Sequence, residues 1–142
     1  MLEFRVGNNF SGCFPTDNGV PQGSILSPLL FSILMMGLPK FDQIHVLQYA
    51  DDLSIFTVDD SLDSAVDRIQ DSISRLNTWL HSIGLNINES KTNFMIFTRI
   101  RITQVPTLSL NNTNINFITT IKFLGVFLDG PQPLHGTSMY PI

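Results

Sequence analysis

A single stripe of apolar side chains runs through the middle of the chain and ends before Gly84. Its members are three or four positions apart, a spacing that places them on one face of an α-helix of about six turns. They are Leu62, Val66, Ile69, Ile73, Leu76, Leu80 and Ile83. Asp59, Asp60 or Ser61 can cap the start of this helix, and Gly84 can end it. Such a helix must bury its apolar face, so the chain needs further layers around a core.

The segments ahead of this helix predict two hairpins and a second helix. Residues 2–14 carry apolar positions around Gly7, a pattern typical of a β-hairpin with a tight turn. Residues 25–38 form the most apolar stretch and predict a core helix, with Pro28 in its first turn and an end near Gly37. Apolar, β-branched runs on both sides of residues 49–52 predict a hairpin with an acidic turn.

The segments after the long helix predict a further strand and then a small antiparallel set. The apolar runs cover residues 92–98, 107–110, 115–117 and 121–128. Residues 130–142 hold three prolines and show no periodicity, so we expect a disordered tail. The sequence therefore predicts an α+β fold in which residues 1–129 form one domain.

Composition limits the partners of this domain. The 142 residues carry a net charge of -4, and the eight Lys and Arg residues are scattered, which counts against autonomous nucleic-acid binding. Cys13 is the single cysteine, so a reducing intracellular compartment without structural zinc is expected, and we expect Cys13 to be buried. The apolar stretch at residues 25–38 is shorter than the roughly 20 residues that a membrane span needs.

Asp51 and Asp52 are the residues whose chemistry is most informative. Two adjacent carboxylates between apolar strands repel each other, and a metal cation would relieve that repulsion. Neighbouring side chains on a regular strand face opposite ways, so only a turn or strand end lets both carboxylates approach one ion. Phosphoryl transfer commonly uses two divalent metals about 3.5–4 Å apart, held by such carboxylates. The alternative is that Asp51 and Asp52 are solvated turn residues.

Motifs on both sides of this pair resemble those of reverse transcriptases. Residues 19–31, GVPQGSILSPLLF, resemble the motif that follows the first catalytic strand, and residues 49–52, YADD, resemble the YxDD motif. Residues 84–97 resemble the next motif of the palm, and residues 122–126 resemble the primer grip. The resemblance covers about residues 2–129 and is closest to jockey-like, LINE-type enzymes of non-LTR retrotransposons, in which GVPQGS and YADD are usual.

The resemblance implies a partial palm domain, an antiparallel sheet whose YADD hairpin packs on two helices. It implies that Asp51 binds the catalytic Mg²⁺ (or Mn²⁺) directly and that Asp52 supports the same cluster. Tyr49 and Ala50 would lie beside the primer end.

Further roles carried over from the family concern the substrates. Gln22 and Gly23 would border the incoming nucleotide, although a simple helix-entry turn also explains them. Lys91 would protonate the pyrophosphate leaving group, although a lone Lys in a loop is ordinarily a solvated surface residue. The primer strand would be positioned by Phe123, Leu124 and Gly125, which an apolar strand packed in a core explains equally well.

The function implied is RNA-directed DNA synthesis, the addition of deoxynucleotides to a primer 3′ end by two-metal phosphoryl transfer. The partners would be an RNA template, a DNA primer and dNTPs, in the cytoplasm and nucleus and with no membrane. The family places a third carboxylate on a strand ahead of residues 19–31, and we expect that strand, the fingers and most of the thumb to lie outside this chain. The chain alone is therefore expected to be inactive. The alternatives are a non-catalytic, truncated remnant of a mobile element and a metal-dependent nuclease.

Overall fold

A computed structural model describes residues 2–14, 25–98 and 102–130 of the chain. These residues form an α+β arrangement of two α-helices and small two-stranded sheets. The helices are α1 (Ser27–Met35) and α2 (Leu62–Ser82), and a 3-10 turn follows them at Glu89–Lys91. The strands are β1 (Leu2–Val6), β2 (Asn9–Phe14), β3 (His45–Tyr49), β4 (Asp52–Phe56), β5 (Asn93–Phe94), β6 (Ser109–Leu110), β7 (Thr113–Asn114), β8 (Asn116–Phe117), β9 (Thr120–Phe123) and β10 (Val126–Asp129).

Helix α2 confirms the prediction made from the apolar stripe. The Oγ of Ser61 accepts a hydrogen bond from the amide of Ser64 at 3.4 Å and so satisfies one of the free donors of the first turn. At the other end, Gly84 has a φ of 78°, and the amide of Leu85 donates to the carbonyl of Leu80 at 2.9 Å. A left-handed glycine followed by this bond is a common way to end a helix.

The core lies between α2 and the strands that follow it. Ile73 of α2 packs in one cluster with Leu108, Leu110 and Ile115, and these four residues are between 3% and 9% exposed. Other apolar side chains are partly buried against this cluster, namely Ile55, Val66, Ile69, Ile87 and Phe94. Because Ile55 belongs to β4, the cluster also anchors the β3–β4 hairpin to the core.

The strands of the described residues form five separate two-stranded sheets. Four of these pairs are antiparallel hairpins, but β5 and β8 pair in parallel, with Phe94 opposite Phe117. The rings of Phe94 and Phe117 lie 5.4 Å apart and support this pairing. The expected antiparallel pairing is confirmed in the four hairpins, whereas the described residues do not join them into one sheet. The strands after α2 are two to four residues long and separated by turns, so each forms only one short ladder.

Two of the predicted strands differ from the observed ones. The strand expected over residues 92–98 is limited to Asn93–Phe94, because the 3-10 turn occupies the preceding residues and an irregular segment follows. The run over residues 121–128 is not one strand but the β9–β10 hairpin. The amide of Gly130 still donates to the carbonyl of Thr119 at 2.7 Å, whereas the rest of the expected tail lies outside the described residues.

The first hairpin confirms the pattern around Gly7 but not the burial of Cys13. Strands β1 and β2 pair across a turn at Gly7, with Val6 opposite Asn9. Cys13 of β2 is exposed, contrary to expectation, because no other element of the described residues covers its side chain.

Helix α1 forms where it was predicted but is largely uncovered, so the expectation of a core helix is wrong. Met35 is buried, at 7% exposure, whereas Leu29 is 57% and Ile33 is 54% exposed. The helix carries apolar residues on all sides. The segment after its carboxyl end approaches α2, where a Cβ added at Gly37 would lie 3.5 Å from the ring of Trp79. Within residues 2–14, 25–98 and 102–130, no helix is both long and apolar enough to span a membrane.

Candidate active site

The YADD residues form the turn of the β3–β4 hairpin. The two strands pair from His45 opposite Phe56 to Tyr49 opposite Asp52, so Ala50 and Asp51 are the two turn residues. This register follows from two apolar runs of equal length on either side of the turn. It places one carboxylate in the turn and the next at the first position of β4.

The hairpin has one face on the core and one face toward solvent. Ile55 packs against the core cluster, and Leu53 lies on the same face of β4 because side chains alternate along a strand. Asp52 therefore lies on the opposite face, where its cross-strand partner Tyr49 is 64% exposed. Asp51 and Asp52 are both exposed. The two carboxylates are thus held on the accessible side of an anchored hairpin.

The backbone of the turn is bent at Ala50. This residue has a φ of 53°, a left-handed conformation that costs an L residue roughly 1–2 kcal/mol, and Asp51 does not share it. The Nε2 of Gln48 donates to the carbonyl of Ala50 at 3.2 Å and supports the bend from the side. The alanine side chain is small enough for this conformation, and the bend determines where the following carboxylates start.

Lys91 lies in the 3-10 turn, on a segment that shares its core with the hairpin. The amide of Lys91 donates to the carbonyl of Asn88 at 3.2 Å, and the Oγ1 of Thr92 donates to the same carbonyl at 2.8 Å. Ile87 before the turn and Phe94 after it pack on the cluster that also receives Ile55 of β4. The side chain of Lys91 is exposed, and no ion pair to it is found in the described part of the chain.

The residues assigned to the primer grip lie at the β9–β10 turn. Phe123 pairs with Val126, and Leu124 and Gly125 form the two-residue connection with φ values of 47° and 87°. Leu124 is 55% exposed. The alternative of a buried core strand therefore does not describe Leu124, which lies at an exposed turn.

Gln22 and Gly23, which were expected to border the incoming nucleotide, lie outside the described residues. The predicted site residues that the structure describes lie on three elements, namely the acidic hairpin, the 3-10 turn and the β9–β10 turn. Among the described residues, no group of three or more His, Cys, Asp or Glu side chains is close enough to hold a metal ion. Two clefts along α2, of about 440 Å³ and 340 Å³, are lined by other residues and include neither Asp51 nor Lys91.

The structure also gives Asn111, which lies in none of the quoted motifs, two polar partners from other segments. Asn111, in the β6–β7 turn, binds Glu89 of the 3-10 turn at 2.8 Å and Asn77 of α2 at 2.7 Å. The only local signal was the Asn111-Asn112 pair, which is typical of a tight turn. Nothing in that pair indicates the partners, because they lie 22 and 34 positions away.

Comparison with known proteins identifies the class of enzyme to which this hairpin belongs. Residues 1–128 match the family model described as reverse transcriptase (RNA-dependent DNA polymerase). The chain is 29% identical over 145 residues to the RNA-directed DNA polymerase from mobile element jockey of Drosophila funebris, a match that covers 91% of this chain and 16% of that protein. It is 33% identical over 116 residues to the probable RNA-directed DNA polymerase from transposon X-element of Drosophila melanogaster, covering 78% of this chain and 13% of that protein.

These matches show that the chain belongs to the reverse transcriptase family. More particularly, it is a partial region of a reverse transcriptase of the non-LTR retrotransposon type, as the similarity to the jockey and X-element proteins shows. The chain spans 13–16% of the length of these relatives. No solved structure matches it significantly.

Proposed function

We propose that this chain is the part of an RNA-directed DNA polymerase palm that carries two of the catalytic carboxylates. In the whole protein, these residues would take part in adding deoxynucleotides to a primer 3′ hydroxyl on an RNA template. One observation supports this most directly: Asp51 and Asp52 lie on the exposed side of a hairpin that Ile55 anchors to the core, in a chain of the reverse transcriptase family.

The donor chemistry of this hairpin turn fits a divalent cation. Asp51 and Asp52 offer carboxylate oxygens, the ligands that Mg²⁺ and Mn²⁺ prefer, and both side chains are open to solvent. A bound cation would neutralise phosphate charge and lower the pKa of the primer hydroxyl. We assign direct ligation to Asp51 and a supporting place in the same cluster to Asp52. A third carboxylate would come from another segment of the longer polymerase.

The remaining roles are carried over from the resemblance to reverse transcriptases, and the positions of the side chains around the turn are compatible with them. Tyr49 lies opposite Asp52 on the exposed face, so Tyr49 and Ala50 would border the primer end. Lys91 carries an exposed ammonium on a turn that shares the hairpin's core, and it would donate a proton to the pyrophosphate leaving group. The β9–β10 turn presents backbone at Leu124 and Gly125, which would contact the primer strand together with Phe123.

We infer that the incoming nucleotide is bordered by Gln22 and Gly23, on the basis of the GVPQGS motif alone. A small residue lets the backbone approach a ligand closely, and an amide can bond to sugar or base. The enzyme would act in the cytoplasm and nucleus.

We further propose that the 142-residue chain alone does not synthesise DNA. It corresponds to 13–16% of the length of its relatives, and the fingers, the thumb and the strand with the third carboxylate would belong to the remainder. A truncated remnant with no activity would have the same fold and the same lack of synthesis. Only the activity of a longer polypeptide distinguishes a fragment of an active polymerase from such a remnant.

The test is primer extension on an RNA template with Mg²⁺ and dNTPs. We expect no product from the 142-residue chain and DNA synthesis from a longer in-frame polypeptide that contains it. In the longer polypeptide, Asp51→Ala should lower the rate by more than about 100-fold, because a direct metal ligand matters more than its outer neighbours. Asp60→Ala is the matched control, since it removes an exposed carboxylate ahead of α2 and should leave synthesis unchanged. Equal rates for the two variants would refute the proposed role, and synthesis by the short chain would refute its dependence on other segments.

A further inference from the structure

Three side chains from separate segments form a continuous hydrogen-bonded chain beneath the Lys91 turn. The Nδ2 of Asn77 in α2 donates to the Oδ1 of Asn111 at 2.7 Å. The Nδ2 of Asn111 in turn donates to the Oε1 of Glu89 at 2.8 Å. The chain therefore connects the long helix, the β6–β7 turn and the first residue of the 3-10 turn.

The chemistry of Glu89 fixes the direction of these bonds. An ionised carboxylate only accepts hydrogen bonds, so the Asn111 amide must present its NH₂ group to Glu89 and its oxygen to Asn77. The bond to Glu89 is charge-assisted and stronger than one between neutral groups. Asn111 thus uses both ends of its amide, one for each neighbouring segment.

The backbone of Asn111 suits this bridging position. Asn111 and Asn112 have φ values of 49° and 64° and connect Leu110 to Thr113, which face each other across the β6–β7 pair. Two consecutive left-handed residues make the tight turn that hairpins prefer, and Asn tolerates this conformation better than most residues. Leu110 is 3% exposed and belongs to the core, so the turn that carries Asn111 is itself firmly placed.

Glu89 and Lys91 are the first and last residues of the same 3-10 turn. The amide of Thr92 donates to the carbonyl of Glu89 at 3.2 Å, and the amide of Lys91 donates to the carbonyl of Asn88 at 3.2 Å. The Lys91 side chain has no ion-pair partner in the part of the chain that the structure describes, so its own contacts do not locate it. The bond to Glu89 therefore contributes to the position of the Lys91 backbone, together with the packing of Ile87 and Phe94 on the core.

We propose that Asn111 is a positioning residue for Lys91, acting through Glu89. This inference depends on the proposed role of Lys91 as proton donor to the leaving group. It adds that Asn111, from the β6–β7 turn, helps to position the Lys91 backbone. Asn77 in turn orients the amide of Asn111. The geometry thereby connects the β6–β7 turn, which no family motif covers, to the chemistry of the polymerase.

The test uses Asn111→Gly and Asn112→Gly in the longer active polypeptide. Glycine keeps the left-handed turn in both variants, but only Asn111→Gly removes the bond to Glu89. We expect Asn111→Gly to lower the rate constant of synthesis by about 10-fold with little change in the KM for dNTP, because a misplaced catalytic group slows the chemical step. Asn112→Gly should retain the original rate. Hydrogen exchange at the Thr92 amide should accelerate only in Asn111→Gly.

A double variant with Lys91→Ala separates positioning from general stability. If Asn111 acts through Lys91, Asn111→Gly adds no further loss in a Lys91→Ala background. Additive losses would overturn the proposal, as would equal behaviour of Asn111→Gly and Asn112→Gly. Glu89→Gln keeps an acceptor for Asn111 and should remain near the original rate, whereas Glu89→Ala should match Asn111→Gly. If Lys91→Ala synthesises DNA at the original rate, the proposed role of Lys91 is refuted, and this inference is refuted with it. The result for Asp51 would be unaffected.

Discussion

Gln70 of α2 forms two hydrogen bonds with the backbone of Ser109 in β6. Its Nε2 donates to the carbonyl of Ser109 at 3.0 Å, and its Oε1 accepts from the amide of Ser109 at 2.9 Å. The side-chain amide therefore satisfies both polar groups of one strand residue, as a neighbouring strand would do. Because Leu108 and Leu110 on either side are 3% exposed, this contact lets a two-residue strand lie on a helix without leaving buried backbone groups unpaired.

We predict that Gln70→Ala lowers the free energy of unfolding by about 1–3 kcal/mol, since it leaves the amide and carbonyl of Ser109 without partners. Gln70→Glu should also destabilise the chain, because a carboxylate cannot donate to the carbonyl of Ser109. Ser74→Ala is the control: the hydroxyl of Ser74 bonds only to a carbonyl of its own helix and is exposed, so the change should stay within about 0.5 kcal/mol. Urea unfolding measures all three, and equal stability of Gln70→Ala and Ser74→Ala would contradict the prediction.

The left-handed Ala50 predicts an unusual sign for a glycine substitution. Ala50→Gly should raise the free energy of unfolding by roughly 1 kcal/mol, because glycine adopts a φ of 53° without the steric cost that alanine bears. Ala65→Gly, inside α2, should lower it by about 1 kcal/mol through the poor helix propensity of glycine. Thermal and urea unfolding compare the two variants. A loss of stability in both would show that Ala50 is not in the left-handed conformation.

Removing apolar side chains should cost more stability in the core than on α1. Ile73→Ala should cost about 2–5 kcal/mol, as expected for truncating a buried aliphatic residue that other core side chains surround. Ile33→Ala, at a position that is 54% exposed, should cost less than about 1 kcal/mol. Unfolding in urea provides the comparison. A cost at Ile33 equal to that at Ile73 would mean that α1 is packed after all.

The elements that could be predicted from the sequence are those whose information is local. Helix α2 follows from the spacing of its apolar side chains, and the hairpin turn at Ala50 and Asp51 follows from two apolar runs that flank it. The burial of α1 was predicted wrongly. An all-apolar sequence indicates that a helix would be stabilised by burial, but it does not show whether other segments bury it. The parallel pairing of β5 with β8 places Asn93 opposite Asn116, which lies 23 positions further along the chain. No local sequence pattern predicts such a pairing.

The candidate site divides in the same way. Asp51, Asp52 and Lys91 were identified from motifs, and they remain predictions as functional residues. Asn111 was missed because its two partners become neighbours only after α2 and the β6–β7 hairpin pack together. Leu124 was expected within a strand because it belongs to the apolar run over residues 121–128, yet it occupies a turn with a φ of 47°, which leucine rarely adopts.

The bend at Ala50 has a consequence for cation capture. The direction in which Asp51 and Asp52 leave the backbone is set by a torsion angle and by strand pairing, both complete once the protein has folded. An arriving ion would have to shed water but would not have to reorganise the main chain. The entropy cost of arranging the backbone of the ligands would therefore belong to folding and not to cation binding. In the proposed function, a turn preorganised in this way would lower the cost of binding a divalent cation.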